Sequence, residues 1–280
     1  MTTVREPVVA GAFYPGNKEA LSRNLEELFG EGLRVNQEPL SSCAGLIVPH
    51  AGYIYSGPTA AVGYRHLAAL GRPAWALILG ANHTGLGRPI SLAQDGNWRT
   101  PLGESPIASA LADRLVQEGL EIAPEAFDRE HAIEVQLPFL QFLYGPSVPF
   151  VPVCVMLPSF PELKAAGEAI ARVVRNESPG AIIVSSDFTH YEPGEVARKK
   201  DRGAIERILA LDTEGFHRKL VNESLSICGG GAITALLSAA GALGWRSAEL
   251  LSYATSGDVT GDQSAVVGYA AIALGGNDAK

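Results

Sequence analysis

The sequence predicts a single α/β domain in which a mostly parallel central sheet is flanked by helices. Short β-branched segments alternate with longer amphipathic segments along the chain, an order typical of parallel strands connected by helices. The 280 residues are 46% hydrophobic and 19% charged, which is enough apolar material for a large core. No repeat, low-complexity tract or Pro/Ser-rich linker divides the chain, so we expect one domain over residues 1–280, with its core in residues 8–274.

Short apolar runs rich in Val, Ile and Leu predict the strands of this sheet. They are bounded by Gly, Pro or Ser residues, as buried strands usually are. The predicted strands are Ala44–Val48, Trp75–Leu79, Phe150–Val155, Ala181–Val184 and Ala265–Ile272.

Apolar residues at helical spacing predict the helices. The predicted helices are Lys18–Phe29, Pro58–Leu70, Ser105–Gly119, Ala132–Leu143, Pro161–Asn176, Glu195–Leu211 and Gly231–Leu243. Asn17 is a suitable N-cap for the first helix, and Pro58 is expected to open the second. Pro138 is expected to kink or interrupt the fourth, because proline lacks the N–H that a helix interior needs.

The charge balance argues against nucleic acid as a partner. Lysine and arginine number 22 and aspartate and glutamate number 30, which gives a net charge of −8. The densest basic run is only Arg198–Arg202 and contains an aspartate. A surface that follows a phosphate backbone needs larger basic clusters.

The sequence also predicts a cytoplasmic protein without a membrane span. Its first residues lack the apolar stretch of a signal peptide, and three cysteines cannot all pair within one chain. The run Ser224–Trp245 carries no charge and approaches the length of a membrane span. Its many Gly, Ala and Ser residues favour a loop followed by a buried, tightly packed helix.

Three histidines follow the ends of predicted strands. His50 comes after Ala44–Val48, His83 after Trp75–Leu79 and His190 after Ala181–Val184. Ligands of open α/β sheets bind beyond the carboxyl ends of the strands, so these side chains meet at one edge if the strands are parallel neighbours. A lone histidine there is usually a polar loop residue, but three equivalent ones indicate a metal site, since neutral imidazole is the commonest metal ligand.

Cys228 is a candidate for a further metal ligand. It precedes Gly229–Gly231 and a predicted helix, and a helix N-terminus is expected to lower the pKa of a thiol. The glycines indicate that something approaches the backbone closely. The alternative is that Cys228 is a small buried hydrophobic residue, which is the interpretation we give to Cys43 and Cys154.

His131 and Glu134 are three residues apart and are expected to share a helical face. They are candidates for a proton relay, for substrate contacts or for support of a metal ligand. The alternative is an ion pair at a helix start. His66 and His217 lie among charged residues of predicted helices and are interpreted as surface or packing residues.

Other common catalytic patterns are missing from the sequence. The segment Gly80–Gly87 lacks the Lys-Ser/Thr ending of a phosphate-binding loop and the glycine spacing of a dinucleotide turn. No Gly-x-Ser-x-Gly turn is present, so a serine hydrolase has little support.

Seven ordered motifs make the chain resemble the Memo family, whose prokaryotic members are also called AmmeMemoRadiSam system protein B. The motifs are VAGAFYP (9–15), PHAGYIYSG (49–57), GANH (80–83), EHAIEVQLPF (130–139), SSDFTHY (185–191), CGGGAI (228–233) and TSGDVTGD (255–262). They span nearly the whole chain.

The resemblance implies a fold similar to class III extradiol dioxygenases of the LigB superfamily. It implies that His50 and His83 are metal ligands, that Cys228 is the third ligand, and that His190 is the acid/base histidine. Asp187 and His131 are further catalytic candidates, and Tyr53 and Glu134 are candidates for binding substrate. It also implies functional association with AMMECR-type and radical SAM proteins. Because a thiolate stands where extradiol enzymes have a carboxylate, ring cleavage does not follow from the resemblance.

The resulting hypothesis is a metalloprotein with one divalent or redox metal ion, iron first and copper or zinc as alternatives. It would perform redox or dioxygenase-type chemistry on a small, aromatic substrate, with His190 moving a proton. The alternatives are a non-catalytic binding or adaptor module that takes a small molecule or peptide in the same cleft, and a zinc-dependent hydrolase.

Overall fold

The computed structural model describes residues 3–276 as a large mixed β-sheet with helices on both faces and a small second sheet at one side. The strands are β1 (Val4–Arg5), β2 (Ala44–Val48), β3 (Ala76–Ala81), β4 (Ile90–Leu92), β5 (Asn97–Thr100), β6 (Gly103–Pro106), β7 (Glu121–Ile122), β8 (Phe150–Val155), β9 (Ala181–Ser185), β10 (His190–Glu192), β11 (Ser247–Thr255) and β12 (Val266–Gly275).

The helices connect these strands and include two short 3₁₀ turns, Pro124–Phe127 and Glu134–Gln136. They are α1 (Lys18–Phe29), α2 (Tyr53–Leu70), α3 (Ser109–Gln117), α4 (Leu137–Tyr144), α5 (Phe160–Val174), α6 (Gly194–Leu209), α7 (Thr213–Asn222), α8 (Gly230–Leu243) and α9 (Gly257–Thr260). Among residues 3–276, no helix is both long and apolar enough to cross a membrane.

The centre of the large sheet is parallel, as the sequence predicts. The strand order is β10-β12-β2-β9-β3-β8-β4-β7, and the four strands β2, β9, β3 and β8 run parallel to one another. The sheet becomes antiparallel on both sides, because β12 pairs antiparallel with β2, β10 and β11, and β4 pairs antiparallel with β8. The sheet is therefore mixed, and only its centre matches the predicted parallel arrangement.

Two apolar cores lie on the opposite faces of this sheet. Helices α5 and α8 pack against each other on one face together with α3, α6 and α7. Helices α1, α2 and α4 contribute the core on the other face. The uncharged run after Ser224 contains α8, which is buried along most of its length, so its low polarity reflects packing inside the protein.

Several predicted boundaries are wrong for identifiable reasons. Pro58 lies inside α2, near its start, where its missing N–H leaves only the carbonyl of the exposed residue Ile54 without its helical partner. Pro138 is near the first residue of α4, where a proline is tolerated, so it begins that helix and does not kink it. Ser105 and Pro106 end β6, and α3 begins later, at Ser109.

Candidate metal centre

Three predicted strand ends do lie side by side in the structure. Strand β9 pairs in parallel with β2 on one side and with β3 on the other. His50 follows β2, His83 follows β3, and Asp187 follows β9. The carboxyl ends of these strands meet at one edge of the sheet, as predicted for the segments that carry His50 and His83. The third histidine of that prediction, His190, lies further along the chain, at the start of β10.

His50, His83 and Cys228 form a compact group at this edge. One ligand atom from each residue lies within 4.8 Å of the others. The Sγ of Cys228 is 3.2 Å from Nε2 of His50 and is carried by the segment that leads into α8. The structure therefore brings together the three residues for which the sequence predicts a shared metal ion.

The hydrogen bonds of His50 determine which of its nitrogens faces this group. Its Nδ1 lies 3.0 Å from Oγ of Ser185, and that hydroxyl already donates its proton to the carbonyl oxygen of Ala132. Nδ1 must therefore donate, which leaves the lone pair of Nε2 directed towards Cys228. Burial, followed by the charge of His83, lowers the pKa of His50 to about 3, so the ring is neutral at ordinary pH.

Glu130 orients His83 in the same way. Its Oε1 is 2.9 Å from Nδ1 of His83, and its Oε2 accepts the backbone N–H of His83 at 2.6 Å. Burial alone raises the pKa of Glu130, but the hydrogen bonds and charge of His83 outweigh it and lower this pKa to about 2. Burial also lowers the pKa of His83, and the Glu130 carboxylate reverses that effect so that the net shift is upwards. Nε2 of His83 is left for a ligand.

The sequence analysis missed the role of Glu130. The residue lies beside His131 in one of the seven motifs, but nothing local shows that its carboxylate would be fully buried and reach a histidine 47 positions away. A carboxylate next to an apolar stretch and a histidine was the only signal in the sequence.

His131 belongs to the same cluster of rings. It stacks on His83 with centroids 4.6 Å apart, is perpendicular to His50 at 5.4 Å, and contacts the ring of Phe13 at 4.8 Å. His83, Glu130 and His131 form a second group with donor geometry, but the Glu130 carboxylate in it is already hydrogen-bonded to His83. His131 therefore borders the centre as a neighbour of the ligands.

We expect His131 to make the metal-free protein less stable in acid. Burial lowers its pKa to about 4, whereas the unfolded chain has a value of about 6.5. Between these values the unfolded state binds a proton that the folded state does not, so stability is lost as the pH falls from about 6.5 to about 4. Urea unfolding should show that His131→Gln flattens this loss by about 1 kcal/mol per pH unit. An unchanged slope would contradict the prediction.

Asp187 holds two of the candidate ligands through hydrogen bonds. Its Oδ1 accepts the backbone N–H of His50 at 2.8 Å, and its own backbone N–H donates to Sγ of Cys228 at 3.2 Å. Burial raises the pKa of this carboxyl group, which is only 4% exposed. Asp187 thus holds two of the three candidate ligands in place.

The structure does not show the expected pKa decrease of Cys228. Burial, followed by the negative charge of Asp187, raises the pKa of the thiol well above its usual value. The N-terminus of α8 is too weak to offset burial. A cation beside the sulfur reverses this balance, because a coordinated thiol is deprotonated outright. The thiolate at this position therefore depends on a bound metal.

The glycines after Cys228 are required by the protein itself. A Cβ at Gly229 would overlap Ser186, and a Cβ at Gly231 would overlap the carbonyl oxygen of Met156. The close approach predicted at this glycine run is therefore made by the ends of β8 and β9, and it fixes the position of Cys228 relative to His50.

Two glycines of α8 provide a matched test of this packing. We expect Gly231→Ala to destabilise the protein by about 2 kcal/mol, because the new methyl group displaces the Met156 backbone. Gly241→Ala, in the same helix, places its methyl group where no atom beyond the adjacent backbone of α8 lies within 4 Å, and it should stabilise the protein by about 0.5–1 kcal/mol. Urea denaturation measures both. Equal effects of the two substitutions would contradict the packing explanation.

His190 lies at the start of β10 and outside the groups with metal-ligand geometry found in residues 3–276. Its Nδ1 donates to the carbonyl oxygen of Ser226 at 2.8 Å, so Nε2 is the nitrogen that carries the lone pair of the neutral ring. The neighbouring Tyr191 has a left-handed backbone, with φ of 58°, and is 78% exposed.

Tyr53 and Glu134 do not face the centre. The hydroxyl of Tyr53 donates to the carbonyl oxygen of Val135 at 2.7 Å, and the side chain is buried. Glu134 is fully buried and accepts hydrogen bonds from Arg5, Val8, Val9 and Tyr14. Their predicted role in binding substrate is not supported by these positions. The structure favours the ion-pair alternative for Glu134, whose partner is Arg5. His131 and Glu134 do not share a helical face, because His131 lies before the 3₁₀ turn that begins at Glu134.

The fold and the site define an α/β protein with a candidate mononuclear metal centre of two histidines and a cysteine at the carboxyl edge of its sheet. The family model described as Memo-like protein matches residues 5–273. The chain therefore belongs to the Memo family, as its motifs predict.

Curated relatives match over almost the whole chain. A MEMO1 family protein of Methanopyrus kandleri is 46% identical over 276 residues, covering 96% of this chain and 98% of that protein. One from Methanosarcina acetivorans is 43% identical, over 96% of this chain and 98% of that protein, and one from Thermotoga neapolitana is 39% identical, over 97% and 99%.

A solved structure shares the fold. The uncharacterized protein JW3007 from Escherichia coli K12 superposes with a TM-score of 0.57 and 16% sequence identity, covering 83% of this chain and 100% of that one. At this identity the similarity concerns the α/β fold alone.

Proposed function

We propose that this protein binds one redox-active metal ion, iron or copper, through His50, His83 and Cys228, and uses it for redox or dioxygenase-type chemistry on a small aromatic substrate. The observation that carries the proposal is the donor group itself. Two imidazoles have their Nδ1 atoms engaged by Ser185 and Glu130, and both rings therefore offer Nε2 beside the sulfur of Cys228.

The donor set fits such an ion. Two neutral imidazoles and one thiolate favour a first-row transition metal over magnesium or calcium, which prefer oxygen ligands. Three protein ligands leave coordination positions open for substrate, as in catalytic zinc sites. When bound, the ion would supply Lewis acidity and one-electron chemistry at this edge of the sheet.

The neighbouring side chains supply the remaining functions. His190 donates through Nδ1 to Ser226, so its Nε2 is the atom that accepts or returns a proton. Phe13 and His131 form an aromatic wall beside His83, which suits a planar aromatic substrate. Asp187 and Glu130 orient the ligands, while Tyr53 and Glu134 belong to the supporting structure.

Elemental analysis of protein purified without oxygen and without added metal tests the proposal. We expect close to one equivalent of iron or copper, and oxygen uptake that depends on this metal when catechols or related phenols are added. Zinc alone would favour the hydrolase alternative. A protein that takes up neither iron, copper nor zinc in an anaerobic titration would contradict the proposal and favour a binding module.

The cellular setting follows from the same chemistry. The three cysteines are free thiols, and a metal-binding thiolate is preserved best in a reducing compartment, which supports a cytoplasmic location. Functional association with AMMECR-type and radical SAM proteins remains a proposal that rests on the family.

We expect Glu130→Gln to weaken metal binding by about 10- to 100-fold, the usual cost of losing the carboxylate behind a ligating histidine. The amide keeps the size of the side chain, but it has no negative charge and only one acceptor oxygen, so it no longer accepts both the Nδ1–H and the backbone N–H of His83. Competition with a chromophoric chelator measures the affinity. Glu125→Gln, an exposed glutamate in the preceding 3₁₀ turn, is the control. Equal affinities of the two variants would contradict the role of Glu130.

A further inference from the structure

A largely buried ion pair ties the N-terminal segment to residues 127–134, which include Glu130. Arg5 is carried by β1, in the small sheet, and its Nη1 donates to Oε2 of Glu134 at 2.7 Å. The Arg5 side chain is 14% exposed and that of Glu134 is fully buried. The guanidinium carbon also lies 4.0 Å from the centre of the Trp98 ring. A pair so strongly desolvated is costly unless each partner has further hydrogen bonds.

Arg5 uses its other nitrogens on the segment that carries Glu130. Its Nε donates to the carbonyl oxygen of Phe127 at 2.9 Å, and its Nη2 donates to the carbonyl oxygen of Glu130 at 2.7 Å. One planar guanidinium thus binds three points of residues 127–134. The planar group holds these points in a fixed relation, which the flexible point charge of a lysine does not do.

Glu134 in turn binds the N-terminal segment. Its Oε2 also accepts the backbone N–H of Val8 at 2.8 Å, while Oε1 accepts the N–H of Val9 at 3.0 Å and the hydroxyl of Tyr14 at 2.8 Å. Together with Nη1 of Arg5, these groups give the carboxylate four hydrogen-bond donors, which satisfy its two oxygens.

The same N-terminal segment also contacts the ligand-bearing side of the centre. The Phe13 ring lies against His131, and the Phe13 carbonyl oxygen accepts the N–H of Tyr53 at 2.7 Å, three residues after His50. Residues 4–14 therefore connect the segment that follows β2 with the segment that carries Glu130.

We propose that Arg5 is a positioning residue of the metal centre, which acts through the backbone of residues 127–134 and the Glu130 carboxylate to hold His83 in its ligating orientation. This inference rests on the proposed metal-binding function. Without Arg5, Glu134 keeps a buried, unpaired charge and two carbonyl groups lose their donors, so residues 127–134 shift and Glu130 no longer fixes His83.

Anaerobic titration with Co(II), followed by its visible and thiolate charge-transfer absorption, tests the inference in the full chain. We expect Arg5→Ala to raise the Co(II) dissociation constant at least tenfold and to change the absorption spectrum, at a temperature where circular dichroism shows the metal-free variant to be folded. Arg5→Lys restores the pairing with Glu134 but not the two carbonyl contacts, so it should bind Co(II) with intermediate affinity. It also serves if the alanine variant does not fold.

Arg99→Ala is the matched control. Arg99 lies in the same small sheet, on β5, but its side chain is 45% exposed and pairs with Glu6 and Glu104 at the surface. The Arg99→Ala variant should bind Co(II) with the affinity of the wild type. Lower thermal stability of a folded Arg5 variant with wild-type Co(II) affinity and spectrum would overturn the inference, since Arg5 would then serve stability alone. Failure of the wild type to bind Co(II) would instead contradict the proposed function.

Discussion

Replacing Cys228 with serine is expected to weaken metal binding at least about a hundredfold. The sulfur lies 3.2 Å from Nε2 of His50 and is the only donor in the group that becomes an anion. Structural zinc sites contribute about 10–16 kcal/mol from four ligands, so one ligand accounts for roughly 3 kcal/mol, which corresponds to more than a hundredfold. A serine hydroxyl has similar size, but it is a poor ligand because it stays protonated.

The affinity is measured by anaerobic competition with a chelator, and Cys43→Ser is the matched control. Cys43 immediately precedes β2 and therefore lies at the opposite end of that strand from His50. Burial raises the pKa of its thiol, and Cys43 does not belong to the donor group. Its variant should bind metal as the wild type does. Equal metal affinities of the Cys228 and Cys43 variants would show that Cys228 is not a metal ligand.

Replacing His190 with alanine is expected to lower the turnover rate by about 10²–10⁴ while leaving the metal content unchanged, which is the usual contribution of a general acid or base. His190 is held by the carbonyl oxygen of Ser226 and lies outside the donor groups found in residues 3–276. Metal-dependent oxygen uptake with the phenol that supports it measures the rate, and elemental analysis measures the metal.

The outcome separates two roles of His190. Retained metal with lost turnover identifies it as the residue that moves a proton. Loss of the metal itself would show that His190 is a ligand and that the assignment of roles is wrong. His217→Ala, in α7 and outside the donor groups of the described chain, controls for the loss of a histidine.

The elements that carry the centre could be predicted because their signals are local. The apolar run Ala44–Val48 and the amphipathic pattern of Lys18–Phe29 with its Asn17 cap both have the predicted bounds in the structure. The topological rule for parallel strands then placed His50 and His83 at one edge. Composition also predicted a buried helix in the uncharged run, where α8 lies.

Other elements could not be predicted because their signals depend on distant parts of the chain. Strand β11, Ser247–Thr255, lacks a regular alternation and exists because it pairs along most of β12. Helix α7, Thr213–Asn222, is a different case, because its N-cap is local: the side chain of Asp212 accepts the N–H of Gly215, and the predicted helix Glu195–Leu211 ran up to this cap. The ion pair of Arg5 and the fully buried Glu134 spans 129 positions, so the sequence showed only the local spacing between Glu134 and His131.

The chemistry of the site also depends partly on local signals and partly on the assembled fold. A histidine after a strand is visible in the sequence, but the neutral state of His50 and the high pKa of the Cys228 thiol both result from burial in the assembled fold. The glycines after Cys228 indicated close approach correctly, although the approaching atoms belong to Ser186 and Met156 of the protein itself.

X-ray absorption of the protein loaded with one equivalent of Zn(II) tests the central claim most directly, because it counts the sulfur and nitrogen neighbours of the ion whatever the native metal is. We predict one sulfur at about 2.3 Å and two imidazole nitrogens at about 2.0–2.1 Å, with the sulfur lost in Cys228→Ser and retained in Cys43→Ser. A spectrum of the wild type with only nitrogen and oxygen neighbours would contradict a metal centre formed by His50, His83 and Cys228.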